Sequence, residues 1–354
     1  MRRIMLLLLL AALLCTTTTR ALALPPELAD ALPEGLAAAA ETGDVLNGGL
    51  SWLATTVYGA LGGILRAGVR NAALLTLSAV ICGAAEGLSA AAGKSAPRYV
   101  ACCGVLAAAS LAAGDLSALI GLGAQTVEEL GSLAKLLLPS LAAALAAGGF
   151  VTTASVWQVT TLMACALLGE AASRVLLPLV YCYIAAAAAG AVLEGSRLDL
   201  LADGLKKLVT GALIAATTAF TAYLAAAGAL TGSADRTAVK AAKVAVSGMI
   251  PILGGVLSDA AEGVLAAAGA LRGTVGVLGV LAVLSACLVP LLRLGVQFLL
   301  YQLAAFAAGL AGTKTIGKFL SRLGEAFALV FAMTAACALM LLVALFTALT
   351  LAMG

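Results

Sequence analysis

Long, predominantly apolar runs alternate with short polar clusters along most of the chain. Residues 72–92, 99–123, 133–153, 155–172, 175–193, 208–230, 274–292 and 327–351 are such runs. Each is close to the roughly 17–25 apolar residues that carry a helix across the hydrocarbon of a bilayer. The pattern predicts an all-α, polytopic helical membrane protein of about 7–8 spans with amphipathic interfacial helices beside them. Residues 294–311 form one more apolar stretch, which spans, re-enters or lies buried. The run interiors are Ala, Gly, Leu and Ser rather than Leu, Ile and Phe. Small residues let helix backbones approach closely where lipid supplies no hydrophobic drive. Compositional bias of the genome is the other reading of so much Ala.

The stretch at residues 235–279 breaks this pattern. Arg236, Lys240 and Lys243 lie four and three apart and share a helical face, with Val239, Ala242, Val246 and Met249 as apolar neighbours. Pro251 and the pair Gly254-Gly255 interrupt the run, because proline biases its predecessor away from helix. A second amphipathic run carries Asp259 and Glu262, and Arg272 closes it. Burying a single such charge at mid-bilayer costs about 2.5–3.5 kcal/mol on insertion scales. The expectation is a broken, partly amphipathic element at the outer surface that docks a partner or gates, with Arg236, Lys240, Lys243, Pro251, Asp259 and Arg272 as its candidate residues.

Residues 1–23 have the layout of a cleavable signal peptide. Arg2-Arg3 precede an apolar core, and Ala21-Leu22-Ala23 ends it; an uncleaved first anchor is the alternative. Residues 24–71 read as an exported polar and juxtamembrane segment, with Trp52 and Tyr58 suited to a water–lipid boundary. The remaining divisions are an N-terminal transmembrane bundle at 72–230, the amphipathic stretch at 231–273 and a C-terminal transmembrane region at 274–354. With a signal peptide in place, Lys94 and Arg98 face the cytoplasm, as do Arg197, Lys206 and Lys207. Residues 235–272 then lie outside. Lys314, Lys318 and Arg322 lie inside if residues 274–311 cross once in net.

Composition narrows the class further. The chain has 354 residues, 63% hydrophobic and 10% charged, against about 25% charged in soluble domains. Its mean hydropathy is +1.13. The net charge of +3 is dispersed, with no basic patch interleaved with aromatics, so nucleic acid is not an expected partner. The chain contains no His, which removes the commonest general base and metal ligand. The 8 cysteines form no C-x-x-C pair and read as small hydrophobes. No P-loop is present, since Gly312-Thr313-Lys314-Thr315 lacks the earlier glycine. Neither a cofactor nor an enzymatic activity is expected.

Charges inside the spans are few, and each calls for a reason. Asp115, within 99–123, reads either as a pore-lining or ion-linked carboxylate or as a bundle-facing group bonded to Ser110 or Ser117. Glu170 and Arg174 lie four apart and predict a surface ion pair at a tight turn between two spans. Arg293 is expected to cap the 274–292 span and to snorkel.

One motif series carries a resemblance. Arg236-Thr237-Ala238, Lys243, Ile250-Pro251, Asp259-Ala260, Thr274-Val275-Gly276, Pro290-x-x-Arg293 and Tyr301-x-Leu303-Ala304-Ala305 follow one another in order. From residue 235 to 312 the chain resembles the stage III sporulation protein AE family. The resemblance implies a non-enzymatic membrane subunit of the channel or export complex that links mother cell and forespore. It implies a place in the mother-cell membrane around the forespore. Its implied partners are other stage III channel proteins, including a separate ATPase and ring-forming subunits, together with membrane lipid. A stand-alone secondary transporter of a small solute and a membrane scaffold are the other classes that fit the layout.

Overall fold

The structure is a computed structural model and describes residues 45–91, 97–147, 151–193, 196–226 and 274–353. The predicted signal peptide and the amphipathic stretch at 231–273 lie outside the described residues. What is described is helical throughout: α1 (Val45–Ala91), α2 (Pro97–Ala147), α3 (Val151–Ala171), α4 (Leu177–Leu193), α5 (Ser196–Ala226), α6 (Thr274–Leu310) and α7 (Lys314–Met353).

The helices are longer than the apolar runs suggested. α2 has 51 residues, about 76 Å at 1.5 Å per residue, and it takes in most of two runs read as separate spans. α3 continues into α4 through a single π-helical turn, Ala172–Leu176, in which Leu177 N–H donates to Ala172 O. α6 joins the 274–292 and 294–311 runs and passes Pro290 without ending, as α2 passes Pro139. Among the described residues, five segments are long and apolar enough to cross a membrane: Gly48–Ala85, Cys102–Ala143, Trp157–Val192, Gly279–Leu310 and Lys314–Thr347. The expected 7–8 spans are therefore not seen as separate helices. The breaks implied between the runs, where Glu128-Glu129, Glu170–Arg174 and Arg293 fall, are absent because Glu and Arg are good helix formers. No turn-forming Gly or Pro pair accompanies them. On α2 the charge even supports the helix, with Gln125 Nε2 donating to Glu129 Oε1 at 2.9 Å one turn on.

A real reversal occurs between α6 and α7, and glycine makes it. Gly312 sits at φ +88°, a left-handed conformation that costs other residues. Gly312 N–H donates to Gly309 O at 3.2 Å, and Thr313 N–H donates to Ala308 O at 3.2 Å. These two bonds form a Schellman motif that satisfies the last carbonyls of α6. Thr313 O then accepts from Gly317 N–H at 3.0 Å, which starts α7.

α7 is the central helix. It packs against α2, α3, α4, α5 and α6, and its closest partner is α6. Phe319, Leu323, Phe327, Val330 and Leu345 on α7 are buried, and the Phe327 ring meets Tyr301 of α6 edge to face at 4.9 Å. Missing side chains make the close approach possible. A Cβ on Gly104 would meet Ile316 Cδ1 at 2.6 Å and Cys82 Sγ at 2.8 Å, and one on Gly123 would collide with Val330 Cγ1. One on Gly83 would meet the carbonyl oxygen of Ala311 at 2.7 Å. α1 and α2 are thereby seated on α7 and on the α6–α7 turn, the use of small residues that membrane helices require.

The buried threonines Thr126 and Thr334 satisfy their hydroxyls locally, whereas the buried hydroxyl of Thr161 has no hydrogen-bond partner among the described residues. Thr126 and Thr334 donate to Leu122 O (2.8 Å) and Val330 O (3.0 Å) on the preceding turn. Trp157 Nε1 of α3 donates to Thr347 Oγ1 of α7 at 3.2 Å, tying the far ends of those helices together. Large apolar residues such as Leu77, Ile81, Leu303 and Phe306 remain exposed on the outer faces of α1 and α6, as lipid-facing surfaces do.

Candidate functional site

Two polar clusters are built into the bundle. The first is centred on Asp115 of α2. Its carboxylate accepts Asn71 Nδ2 of α1 at 2.8 and 3.0 Å. It also accepts Gln297 Nε2 of α6 at 3.1 Å and, at 3.4 Å, the hydroxyl of Tyr301 one turn further on. Gln297 and Tyr301 are buried and Asp115 is half-buried. Ser110 and Ser117 are not the partners that the sequence suggested. Ser110 donates to Ala107 O at 2.8 Å on its own helix. A residue two away does not share a face with Asp115, which turns toward α1 and α6. The donors come from other helices, so one carboxylate joins three elements. Each of its hydrogen bonds is charge-assisted, the stronger kind.

The second cluster joins α5, α7 and α4. Asp199 receives Lys318 Nζ at 2.6 Å and Arg322 Nη2 at 3.3 Å. Arg322 also reaches Asp203 Oδ1 at 3.3 Å, and Lys206 pairs with Glu325 Oε1 at 3.1 Å. The buried hydroxyl of Tyr183 on α4 donates to Glu325 Oε2 at 2.7 Å. A further link, from α6, is Gln302, which exchanges hydrogen bonds with Ser321 Oγ (3.1 Å) and Ser321 O (3.3 Å). Acid, acid, base at positions 199, 203 and 206 face base, base, acid at 318, 322 and 325. Both triplets step by four and then three residues, so two parallel helices present complementary faces. Sequence reasoning noted these basic residues only as markers of membrane side. The matched spacing is the signal that pairs them. Because α6 runs through as one helix, Lys318 and Arg322 lie at the same end of the bundle as Lys206.

The other predicted positions fall as follows. Glu170 and Arg174 do pair, at 2.6 Å and well exposed. Glu170 precedes the π turn and Arg174 lies within it, on a continuous helix rather than at a tight turn between spans. Arg293 is exposed in the middle of α6 and does not cap a helix end. Arg236, Lys240, Lys243, Pro251, Asp259 and Arg272 lie outside the described residues. Among the described residues, no group of three or more His, Cys, Asp or Glu is placed to hold a metal ion. Among the described residues, the cysteines form no disulfide bond.

Long apolar helices, glycine-mediated contacts and ionisable groups turned toward partner helices define a polytopic α-helical membrane protein. The chain belongs to the Stage III sporulation protein AE (spore_III_AE) family, which it matches over residues 53–352. It is similar to the Stage III sporulation protein AE of Bacillus subtilis (strain 168), 25% identical over 235 residues. That match covers 66% of this chain and 59% of the relative, so it spans less than two thirds of the relative's length. No solved structure matches.

Proposed function

We propose that this chain is a non-enzymatic membrane subunit of the channel or export complex linking mother cell and forespore. It sits in the mother-cell membrane around the forespore and works with a separate ATPase and ring-forming subunits. Family membership over residues 53–352 carries this reading. The fold supports it, because apolar faces such as Leu77–Ile81 on α1 and Leu303–Phe306 on α6 suit lipid or neighbouring membrane subunits. The test is affinity purification of the full chain from sporulating cells, solubilised in mild detergent. The reading expects an ATPase and membrane-anchored sporulation proteins in fixed proportion to it. Recovery of the chain alone, from cells in which it is folded and abundant, overturns the reading.

A stand-alone secondary transporter is the second reading, and Asp115 is the observation that favours it. A carboxylate among three helices suits a solute-coupled site. Uptake of a small solute by the purified chain alone in vesicles would establish it.

A further inference from the structure

As a carboxylate Asp115 carries a full negative charge, and the described groups that bond to it are neutral. Asn71, Gln297 and Tyr301 offer dipoles only. Among the described residues, the ion pairs of the bundle engage Glu170, Asp199, Asp203 and Glu325, not Asp115. The charge lies in the Cys102–Ala143 segment, against the Gly48–Ala85 and Gly279–Leu310 segments, all long and apolar enough to cross a membrane. An uncompensated carboxylate there is costly. We propose that the Asp115 cluster is a binding site for a hard monovalent cation of the sodium type, whose occupancy ties α1, α2 and α6 together.

The side chains supply the chemistry. Asp115 contributes carboxylate oxygens, Asn71 and Gln297 each contribute an amide oxygen, and Tyr301 contributes a phenolic oxygen. A half-turn of each planar amide replaces its NH2 with its oxygen in nearly the same place. The amide nitrogens therefore face the carboxylate when the site is empty, and the oxygens face a cation when it is filled. A single carboxylate matches a single positive charge, whereas calcium sites gather several carboxylates. An all-oxygen set without Cys or His excludes the softer transition metals.

Gly68 of α1 keeps the room that the amide needs. A Cβ there would come within 3.1 Å of Gln297 Oε1 and 2.5 Å of Leu300 Cδ1. Gln297 and Tyr301 are buried, and Asn71 and Asp115 form the partly exposed side of the cluster.

The test is thermal unfolding of the full-length protein in detergent across a sodium chloride series. N-methyl-D-glucamine chloride holds total salt and chloride constant. The expected result is a saturable rise in Tm with sodium, abolished by Asp115→Asn. Glu128→Gln, an exposed change on the same helix, keeps the rise. Asn71→Leu, which retains the carboxylate but removes one oxygen, raises the half-saturating sodium concentration at least tenfold. The absence of a saturable sodium effect in the unaltered protein overturns the proposal, as does an equal effect in Asp115→Asn. If Asp115→Asn does not fold, Asn71→Leu decides, and an unchanged half-saturating concentration there overturns it.

Discussion

Gly83 tests the way α1 is seated. A methyl group added there would sit 2.7 Å from the carbonyl oxygen of Ala311 and 3.0 Å from Thr313 Cγ2. The first atom is backbone, in a turn fixed by the bonds from Gly312 and Thr313 to the end of α6, so it cannot step aside alone. Relief requires α1 to move away from the α6–α7 hairpin, an overpacking cost of about 1–3 kcal/mol. Gly87 is one turn further along the same helix, and a Cβ there meets nothing within 4 Å. Both substitutions by alanine gain the same helix-propensity term, about 0.8–1.0 kcal/mol. That term cancels in the comparison and leaves the steric cost. Gly83→Ala is therefore expected to be less stable than Gly87→Ala by about 1–3 kcal/mol, measured by denaturant titration in mixed micelles. Equal stability of the two variants would refute the docking of α1 on the turn.

Three further outcomes are expected. Asp199→Ala leaves Lys318 and the largely buried Arg322 without their shared carboxylate, at a cost of about 1.5–3 kcal/mol; Glu170→Ala breaks an exposed pair and costs at most about 0.5 kcal/mol, and the same titration separates them. Gly312→Ala places a Cβ at φ +88° and is expected to lose about 1–2 kcal/mol of stability, although nothing lies within 4 Å of that Cβ. From the distribution of Lys and Arg in the sequence, the Lys94–Arg98 segment is expected to be cytoplasmic, so a single cysteine at position 96, in a chain lacking its native cysteines, resists impermeant thiol reagents in intact cells and reacts after permeabilisation.

Helical membrane class was legible because apolar runs near bilayer length, in a chain this poor in charge, suit a bilayer and leave too little polar surface for a water-soluble globule. The helix boundaries were not legible. Glu128-Glu129, Glu170, Arg174 and Arg293 looked like punctuation, yet charge does not end a helix, whereas a left-handed glycine such as Gly312 does. Asp115 stood out in the sequence because a carboxylate in an apolar run is costly. Its partners did not, because Asn71 and Gln297 lie 44 and 182 residues away on helices whose register the sequence leaves open. The α5–α7 pairing was written in the spacing of Asp199, Asp203 and Lys206 against Lys318, Arg322 and Glu325. Pairing those triplets required knowing that α6 runs unbroken and brings α7 alongside α5.

The most direct test of the proposed role asks which cell needs the protein. In a sporulating host lacking this chain, it is supplied from a promoter active only in the mother cell or only in the forespore, and late forespore gene expression and mature spores are counted. A subunit of a conduit in the mother-cell membrane predicts rescue by mother-cell expression alone. Rescue by forespore expression alone, or full sporulation without the chain, would contradict it.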